Sequence, residues 1–395
     1  MVHYRYLIVG GGMTAHAAVR GIRELDGSGT IGLISAEPDP PYARPPLSKA
    51  LWKGQPIDSI WLKTAEMGVE FHLGCRTAKL DPKTKRLHDD RGREYSFTAL
   101  LLATGGSPRR LPRAGDGVTY FRTLEDYRRL RALAVQHKTF AVIGGGFIGS
   151  EIAAALAMQG CQVTMLFPEA GIGARLFPWD LAGFLVDYYR EKGVDVRPGE
   201  SVTGLVRHGA RTAIQTQSGA PITVDVVVAG LGIVPEIALA QEAGLAVQDG
   251  IVVDQRLRAS HPDIFAAGDV ARFPAPALGA HLRVEHEDNA LTMGRAAGRA
   301  MAGDSTTYTH PPFFYSDLFD LGYEAVGELD PRGEIVADRK EPYREGVVYY
   351  LRSGRVRGVL LWNVWGQVDA ARVLIEEPGP FTAEVLKGRL SQAGA

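Results

Sequence analysis

The fold is decided by Gly10-Gly11-Gly12-Met13-Thr14-Ala15, a GxGxxA turn that directly follows the apolar run at residues 6–9. Apolar residues then recur at helical spacing, namely Ala15, Ala18, Val19 and Ile22. A second apolar strand is predicted at Ile31–Ser35. A strand, a glycine-rich turn, a helix and a further strand predict a Rossmann-type unit. Gly10, Gly12 and Ala15 are its predicted cofactor-binding residues, because small residues let a pyrophosphate approach the helix N-terminus.

The same pattern occurs a second time at Gly144-Gly145-Gly146-Phe147-Ile148-Gly149, a full GxGxxG turn. Residues 140–143 are the predicted strand before it, residues 152–158 the apolar part of the helix, and residues 163–167 the strand after it. We predict that Gly144, Gly146, Phe147 and Gly149 bind a second dinucleotide. Two such turns on one chain are a much stronger indication than either turn alone.

An acidic residue follows the second strand of each unit. Glu37 is predicted to accept hydrogen bonds from ribose hydroxyls in the first unit. Glu169 has the same place in the second unit, where a carboxylate binds a 2′-hydroxyl and repels a 2′-phosphate. This favours NADH over NADPH, although Arg175 is near enough in the sequence to complicate the selection.

Two further segments fit if one of the dinucleotides is FAD. The segment Leu100-Leu-Leu-Ala-Thr104-Gly105-Gly106 is a buried strand that ends in small residues, as is needed where backbone approaches a cofactor. Thr104 and Gly105 are therefore predicted at the FAD site. A second strand ends in Gly268-Asp269, and this carboxylate is suited to hold the flavin ribitol. The alternative for Asp269 is a helix N-cap before Val270.

Composition limits the function classes. With 395 residues, 45% of them hydrophobic and 23% charged, the chain resembles an ordinary soluble enzyme of two or three domains. Lys and Arg total 44 against 45 Asp and Glu, so no basic excess indicates nucleic acid as a partner. No stretch approaches the ~20 apolar residues of a transmembrane segment, and we expect no N-terminal targeting segment. The two cysteines, Cys75 and Cys161, fit a reducing compartment, so a cytoplasmic location is expected.

Turns and strands elsewhere in the chain predict how it is divided into domains. Gly115-Asp116-Gly117 lies in a turn-rich stretch that suits a domain crossover, and Thr123 begins a capping box before the next helix. Strands at residues 347–351 and 356–362, joined by Ser353-Gly354, predict a β-hairpin. The predicted class is α/β, with two Rossmann-like domains plus a C-terminal α+β domain with an antiparallel sheet. The predicted boundaries are 1–115 and 238–309 for FAD, 116–237 for NAD, and 310–395 for the C-terminal domain.

Over essentially its whole length the chain resembles the FAD-dependent pyridine nucleotide-disulfide oxidoreductase superfamily. Within it, Arg44-Pro-Pro-Leu-Ser-Lys49 and residues 144–151 resemble the branch of ferredoxin reductases and apoptosis-inducing factor. Four further segments lean toward apoptosis-inducing factor: Val284-Glu-His-Glu-Asp288, Phe313-Phe-Tyr-Ser-Asp317, Gly322-Tyr-Glu-Ala-Val-Gly327 and Val359-Leu-Leu-Trp-Asn363.

The resemblance implies roles for three charged residues. Arg44 would contact the FAD pyrophosphate, and Lys49 would lie beside the reactive edge of the isoalloxazine, paired with Glu151. A positive charge there stabilises the reduced, anionic flavin. Without the resemblance, a solvated surface lysine explains Lys49 equally well, and complementation of the helix dipole explains Glu151.

The resemblance also implies positions around the nicotinamide. Glu285 would face the nicotinamide end of NAD, and His286 would lie against the flavin. Tyr315 departs from the family, which usually has Trp at this place, so it is expected to shield the flavin but to stack less well on nicotinamide. Its alternative is a core aromatic. Gly232 completes the predicted cofactor contacts. No metal site is predicted near His286, since no HExxH spacing or cysteine ligand is present.

The cysteines decide the subclass. Disulfide reductases need a close cysteine pair that passes electrons from flavin to substrate, whereas Cys75 and Cys161 are far apart in the sequence. We therefore expect an NADH-dependent reductase whose FAD passes electrons directly to an external acceptor. The candidate acceptors are a ferredoxin, a rubredoxin or a quinone-like molecule. The sequence leaves the oligomeric state open between monomer and homodimer.

A second hypothesis is a redox sensor or interaction protein similar to apoptosis-inducing factor. In that case NADH would form a long-lived charge-transfer complex with the flavin, and a partner would detect the resulting change of shape or oligomeric state. The short stretch between Asp330 and Val347 leaves no room for a long regulatory insertion, which counts against a transfer of the eukaryotic role.

Overall fold

The computed structural model describes residues 1–112, 117–136, 138–219 and 221–390. The chain forms two compact units, each made of three segments. Unit 1 comprises Met1–Arg44, Pro56–Ser107 and Val234–Pro312, and unit 2 comprises Pro45–Gln55, Pro108–Ile233 and Phe313–Ala395. Most of the turn predicted at Gly115-Asp116-Gly117, and with it the boundary between residues 115 and 116, lies outside the described residues.

The helices are α1 (Met13–Arg23), α2 (Leu124–Ala134), α3 (Phe147–Met158), α4 (Trp179–Glu191), α5 (Ala238–Glu242), α6 (Glu287–Met301), α7 (Val368–Glu376) and α8 (Ala383–Leu386). The strands in the first half of the chain are β1 (Val2–Val9), β2 (Ile31–Ser35), β3 (Val69–Leu73), β4 (Thr77–Asp81), β5 (Arg86–Asp89), β6 (Glu94–Leu102), β7 (Gly106–Pro108), β8 (Val118–Tyr120), β9 (Thr139–Ile143), β10 (Gln162–Phe167) and β11 (Asp195–Pro198). The later strands are β12 (Val202–His208), β13 (Arg211–Thr216), β14 (Ile222–Val224), β15 (Val226–Ala229), β16 (Ile233–Pro235), β17 (Val247–Gln248), β18 (Gly250–Val252), β19 (Ile264–Ala266), β20 (Ala271–Ala275), β21 (Ala280–Leu282), β22 (Phe313–Leu318), β23 (Leu321–Gly327), β24 (Glu334–Glu341), β25 (Glu345–Arg352) and β26 (Arg355–Trp362).

Unit 1 is built on a sheet in the order β3-β2-β1-β6-β5-β4, with β19 beside β6. Strand β1 pairs in parallel with both β2 and β6, so residues 6–9 form a buried apolar run, as parallel sheets covered on both faces require. The strand begins at Val2, earlier than predicted, because residues 2–4 also pair with β6. Helix α1 buries the predicted apolar face, namely Ala15, Ala18, Val19 and Ile22. The Rossmann-type arrangement of the first turn is therefore confirmed.

The second Rossmann arrangement lies in unit 2. Its sheet has the order β11-β10-β9-β15-β8, and β9 pairs in parallel with β10 and β15. Helix α3 begins directly after Gly146, five residues earlier than the apolar part that the sequence indicated. The capping box predicted at Thr123 is present, because the Thr123 side chain and the Asp126 backbone and side chain bond reciprocally at the start of α2.

The C-terminal segment of unit 2 forms an antiparallel sheet in the order β22-β23-β26-β25-β24. The predicted hairpin is β25 and β26, and its turn residues Ser353 and Gly354 both have positive φ, at 53° and 70°. Two positive φ angles match the twist of the flanking strands. The α/β class with two Rossmann-like parts and a C-terminal antiparallel sheet is confirmed, while the three domain boundaries stay a prediction.

None of the helices in the described ranges combines the length and the apolar character that a bilayer crossing requires.

Candidate functional site

The glycine-rich turn of unit 1 has the shape of a phosphate cradle. Gly10 has φ of +120°, and a Cβ there would lie 2.0 Å from the Ala103 carbonyl oxygen. A Cβ on Gly12 would meet nothing within 4 Å, so the turn is open at the start of α1. Gly12 is the N-cap of this helix and provides no side-chain cap. Its first N–H groups are therefore suited to bind an anion, which fits a dinucleotide pyrophosphate.

Residues that the sequence assigned to the same cofactor lie close together in unit 1. Arg44 donates a hydrogen bond to Glu37 Oε1 at 2.8 Å, and the Tyr42 hydroxyl donates to Glu37 Oε2 at 2.6 Å. Burial lowers the pKa of the Arg44 guanidinium, but Tyr42, Glu37 and Asp269 outweigh this and raise it overall. Arg44 is thus a partly buried cation held by acidic and phenolic groups, and the charge of Asp269 also raises its pKa.

The other small residues predicted at the FAD site also approach the turn in unit 1. Gly268 has φ of +77°, and a Cβ there would lie 2.3 Å from the Thr14 hydroxyl at the start of α1. Thr104 donates its hydroxyl proton to the Glu236 carbonyl at 2.8 Å, and Gly105 accepts from the Glu236 N–H at 3.0 Å. Because β6 pairs in parallel with both β1 and β19, these strand ends lie at the same edge of the sheet as the Gly10 turn. The residue types present there fit FAD.

His286 and Glu285 lie at the start of α6 in unit 1. His286 is the N-cap residue of this helix. Burial lowers the pKa of His286 to about 4, against the opposing charges of Asp269 and Asp288, so the ring is neutral at pH 7. Glu285 pairs with Arg283 at 2.8 Å. The electrostatic effect of Asp269 on His286 places the two residues near each other. The Glu285 carboxylate is held in an ion pair with Arg283.

The turn of unit 2 repeats the first cradle. Gly144 has φ of +119°, and a Cβ there would lie 2.4 Å from the Gly230 carbonyl oxygen. A Cβ on Gly149 would lie 1.9 Å from the Gly144 carbonyl oxygen, so only glycine fits where the helix approaches the turn. Gly146 again faces open space and provides no side-chain cap to α3. The turn fits a second dinucleotide.

The two residues that the sequence predicts to select between NADH and NADPH are paired with each other. Arg175 Nη2 lies 2.5 Å from Glu169 Oε1, and the Arg175 side chain is 82% exposed while that of Glu169 is 23% exposed. Arg175 therefore reaches the acidic residue from solvent. Gly232 has φ of +80° and accepts the Arg109 N–H at 2.9 Å. Phe147 packs edge-on against Phe314.

Lys49 and Glu151 form a buried ion pair in unit 2. Lys49 Nζ lies 2.8 Å from Glu151 Oε1, and the two side chains are 11% and 2% exposed. Two hydroxyls complete the hydrogen bonding of the carboxylate, since Ser48 donates to Oε2 at 2.5 Å and Ser316 donates to Oε1 at 2.6 Å. Neither a solvated lysine nor simple complementation of the α3 dipole explains this arrangement, because both charges are withdrawn from water.

Tyr315 lies beside the lysine of this pair. Lys49 Nζ is 5.4 Å from the centroid of the Tyr315 ring, which is within cation–π distance. Tyr315 is only partly buried on β22, so it is not a core aromatic. Unit 2 thus brings together Lys49, Glu151 and Tyr315, whereas His286 and Glu285 belong to unit 1.

Three polar residues at this site were missed by the sequence analysis. Ser48 lies inside the Arg44–Lys49 motif and Ser316 inside the Phe313–Asp317 motif, so both were quoted but given no role. Glu324 pairs in register with Tyr315, and burial raises its pKa. Its Oε2 has no hydrogen-bond partner among the described residues. No sequence spacing relates these residues to Glu151, because the contacts join a turn, a helix and a distant sheet.

Both cysteines are buried. Burial raises the pKa of Cys75 and that of Cys161, so each is held as the thiol rather than the reactive thiolate. They belong to different units, Cys75 to unit 1 and Cys161 to unit 2. This chemistry differs from that of a redox dithiol.

Comparisons with known proteins agree with this geometry. Residues 4–294 match the family described as pyridine nucleotide-disulphide oxidoreductase, and residues 328–377 match the C-terminal family of mitochondrion-associated apoptosis-inducing factor. The ferredoxin reductase subunit of 5,5′-dehydrodivanillate O-demethylase from Sphingobium sp. is 36% identical, over 90% of this chain and 89% of that protein. Apoptosis-inducing factor 1, mitochondrial, from Dictyostelium discoideum is 32% identical, over 94% of this chain and 78% of that protein.

A solved structure, the covalent complex of putidaredoxin reductase with putidaredoxin, has a reductase chain of the same fold. Its TM-score is 0.90 at 29% identity, over 97% of this chain and 95% of that chain. The family profile covers more than half of the chain, so the relationship extends well beyond the two glycine-rich turns.

Proposed function

Because the chain belongs to the pyridine nucleotide-disulphide oxidoreductase family, whose members use FAD and NAD(P)H, we propose that it is an NADH-dependent ferredoxin reductase. In this proposal FAD is bound at the Gly10 turn and NADH at the Gly144 turn. The acceptor is a small iron–sulfur carrier, a ferredoxin or a rubredoxin, with a quinone-like molecule as the other candidate. The relatives named ferredoxin reductase and putidaredoxin reductase support this choice.

The observation that carries the proposal is the buried pair of Lys49 and Glu151. A lysine withdrawn from water and fixed by a carboxylate is an expensive arrangement that stability alone does not favour. When bound, FAD supplies the chemistry of hydride acceptance and of electron release in single steps. The Lys49 ammonium would stabilise the negative charge that develops on the reduced ring.

The other residues of the chain have supporting roles in this proposal. Arg44 and the open N-terminus of α1 bind the FAD pyrophosphate, and Asp269 holds the ribitol. The His286 ring lines the flavin site as a neutral hydrogen-bonding group, because burial holds its pKa at about 4. Glu169 binds the ribose hydroxyls of NADH, and Tyr315 shields the reacting rings. Glu285 contacts the nicotinamide end.

The two buried thiols support direct transfer to the acceptor. A dithiol relay needs thiolate character, and burial raises the pKa of both cysteines. Overall, one NADH reduces two one-electron carriers and yields NAD⁺ and one proton. We further propose a cytoplasmic location and retain the four-segment domain division with boundaries at 115, 237 and 309.

A second candidate function is that of a redox sensor. The match of residues 328–377 to the C-terminal family of apoptosis-inducing factor favours it, as does the Dictyostelium relative. This candidate requires that the reduced flavin with bound NAD⁺ persists instead of passing its electrons on.

Anaerobic stopped-flow spectroscopy tests the proposal. NADH is expected to bleach the flavin rapidly, and an added ferredoxin is expected to restore its colour at a comparable rate. Replacing Lys49 by Gln should slow the bleaching on the order of 100-fold, as loss of a donor to a developing anion does.

Lys53→Gln is the matched control, because Lys53 is a partly exposed lysine that pairs with Asp317 outside the buried pair. It should leave the bleaching unchanged. A stable long-wavelength band with slow recolouring by every carrier would contradict the reductase and favour the sensor. Failure of the refolded protein to take up FAD would contradict both.

A further inference from the structure

The loop that follows β10 carries both charged residues of the second dinucleotide site. Glu169 lies at the start of this loop, and Arg175, further along it, pairs with Glu169 Oε1. The Gly173 N–H donates a hydrogen bond of 2.9 Å to the carbonyl of Gly145, which belongs to the glycine-rich turn. The loop is therefore fixed to the turn at which we place NADH.

The second half of the loop closes into a tight turn. The N–H groups of Leu176 and Phe177 both donate to the Gly173 carbonyl, at 2.8 and 2.9 Å. Gly173 has φ of +69°, and a Cβ there would lie 2.4 Å from the Phe177 ring. The backbone of Arg175 thus lies between two fixed points, Gly173 and Leu176.

The C-terminal antiparallel sheet holds the other side of this turn. Phe177 is 3% exposed, and its ring packs edge-on against Tyr323 and Trp362 at centroid distances of 5.1 and 5.7 Å. The Tyr350 hydroxyl donates to the Leu176 carbonyl at 2.7 Å. All of these residues belong to unit 2, so the arrangement is contained in one compact unit.

The Tyr350 hydroxyl is a buried donor with a defined acceptor. Tyr350 is 2% exposed, and burial raises its pKa, so the phenol keeps its proton at physiological pH. A phenylalanine would provide the same ring for packing. The hydroxyl adds the contact to Leu176, and this contact fixes the backbone directly beside Arg175.

The position of this backbone affects how readily Arg175 pairs with Glu169. The Arg175 side chain is 82% exposed, and an exposed arginine loses conformational entropy when it forms an ion pair. The loss is smaller when its backbone is already held within reach of the carboxylate. The pair in turn orients Glu169 and offsets its negative charge, which would otherwise repel the anionic pyrophosphate of a dinucleotide.

We propose that Tyr350 is a positioning residue for dinucleotide binding, because its hydroxyl holds the turn that keeps Arg175 paired with Glu169. The inference rests on the proposed function, in which NADH binds at the Gly144 turn and Glu169 accepts its ribose hydroxyls. Tyr350 acts through Arg175, so its contribution to dinucleotide affinity exists only while that arginine is present. A residue of the C-terminal sheet thereby tunes the affinity of the second Rossmann-like site.

Titration calorimetry of the FAD-loaded protein with NAD⁺ tests the inference, since NAD⁺ does not reduce the flavin. Tyr350→Phe should weaken NAD⁺ binding about fivefold, the value of one neutral hydrogen bond. Arg175→Ala should weaken it at least as much. Tyr350→Phe made in the Arg175→Ala background should cause no further loss, whereas a merely structural role of the tyrosine would persist there.

The matched control is Tyr349→Phe. Tyr349 is 0% exposed on the same strand, its side chain points to the opposite face of the sheet, and the charge of Asp338 acts on it. This variant should bind NAD⁺ as the wild type does. Hydrogen exchange of residues 171–177 without nucleotide provides a second measurement. It should be faster in Tyr350→Phe and unchanged in Tyr349→Phe.

The outcomes separate the two proposals. A wild-type holoprotein that neither binds NAD⁺ nor is reduced by NADH would overturn the proposed function and this inference with it. A wild type that binds NAD⁺, with the same affinity in Tyr350→Phe, would overturn the inference alone. An equal loss from Tyr350→Phe with and without Arg175, or from Tyr349→Phe, would also overturn it, because packing would then be the cause.

Arg175→Ala keeps the inference open to refutation if Tyr350→Phe does not fold. This change is made at an exposed side chain, so the fold should tolerate it. Unchanged NAD⁺ affinity in Arg175→Ala would overturn the inference, and a loss of about fivefold or more would support it.

Discussion

The turn at Gly10 and the turn at Gly144 have almost the same backbone. Their N-cap residues, Gly12 and Gly146, have φ of −91° and −89°, and a Cβ on either would meet nothing within 4 Å. The turns differ at their third small residue. The first carries the methyl group of Ala15, fully buried, whereas a Cβ at Gly149 would lie 1.9 Å from a carbonyl oxygen. Helix α3 therefore lies closer to its turn than α1 does.

The larger difference concerns the acidic residue that follows each unit. Glu37 is bound on both oxygens, by the partly buried Arg44 and by Tyr42. Glu169 is bound by Arg175 alone of the residues named here, through a side chain that is 82% exposed. The two turns thus have nearly the same backbone, but Glu37 is held by two side chains of its unit, whereas Glu169 is held by an exposed arginine. This difference is expected where one cofactor stays bound and the other enters and leaves.

The largest effect is expected from a side chain placed in each cradle. In Gly12→Val and Gly146→Val the new side chain has room in the protein itself, so the apoprotein should keep its melting temperature. The methyl groups occupy the space that a pyrophosphate would need. Gly12→Val should lose bound flavin colour. Gly146→Val should stay yellow but bind NADH on the order of 100-fold more weakly, a change of about 2.7 kcal/mol in titration calorimetry.

The comparison of the two variants tests the assignment of cofactors. Loss of FAD in Gly146→Val with normal FAD content in Gly12→Val would reverse it. Equal loss in both variants, with unfolding of the apoprotein, would show that neither position is open.

A smaller effect is expected from changes to the pair of Glu169 and Arg175. Glu169→Ala removes the carboxylate that repels a 2′-phosphate and releases Arg175 to bind it. The ratio of the second-order rate constants for NADPH and NADH should rise by about 10- to 100-fold, the value of one charge-assisted contact. The double variant Glu169→Ala/Arg175→Ala is the control, because it lacks the released cation. An equal rise in both variants would exclude a role of Arg175.

The smallest effect is expected in the pH dependence of stability, and it comes from His286 in unit 1. Burial lowers the pKa of His286 from 6.5 to about 4, so the unfolded chain binds a proton there between these values and the folded chain does not. Stability is therefore lost as the pH falls through this window, by about 1 kcal/mol between pH 7 and pH 5.5. In His286→Gln this contribution to the urea unfolding free energy should disappear. His281→Gln, at an exposed histidine of the same unit, should keep the wild-type slope.

Much of the fold could be predicted from local patterns. Local sequence was enough for both strand–turn–helix arrangements, the capping box at Thr123 and the hairpin around Ser353-Gly354. Each of these features depends on residues that are close together in the chain. For helix α3 the sequence indicated only the apolar part, residues 152–158, whereas the helix begins at Phe147. Its first turn contains Gly149 and Ser150, which carry no apolar periodicity, and the helix is fixed there by the approach to Gly144.

The sequence by itself determined the two cradles, the acidic residue after each, and, through resemblance, the pairing of Lys49 with Glu151. It did not determine how that pair is held. Ser48, Glu151 and Ser316 are brought together by a turn, a helix and a strand that are far apart in the chain, and a hydroxyl has no periodicity that would reveal its partner. Only the tertiary structure shows which buried charge each polar side chain satisfies, because burial removes water and leaves the protein's own donors to replace it.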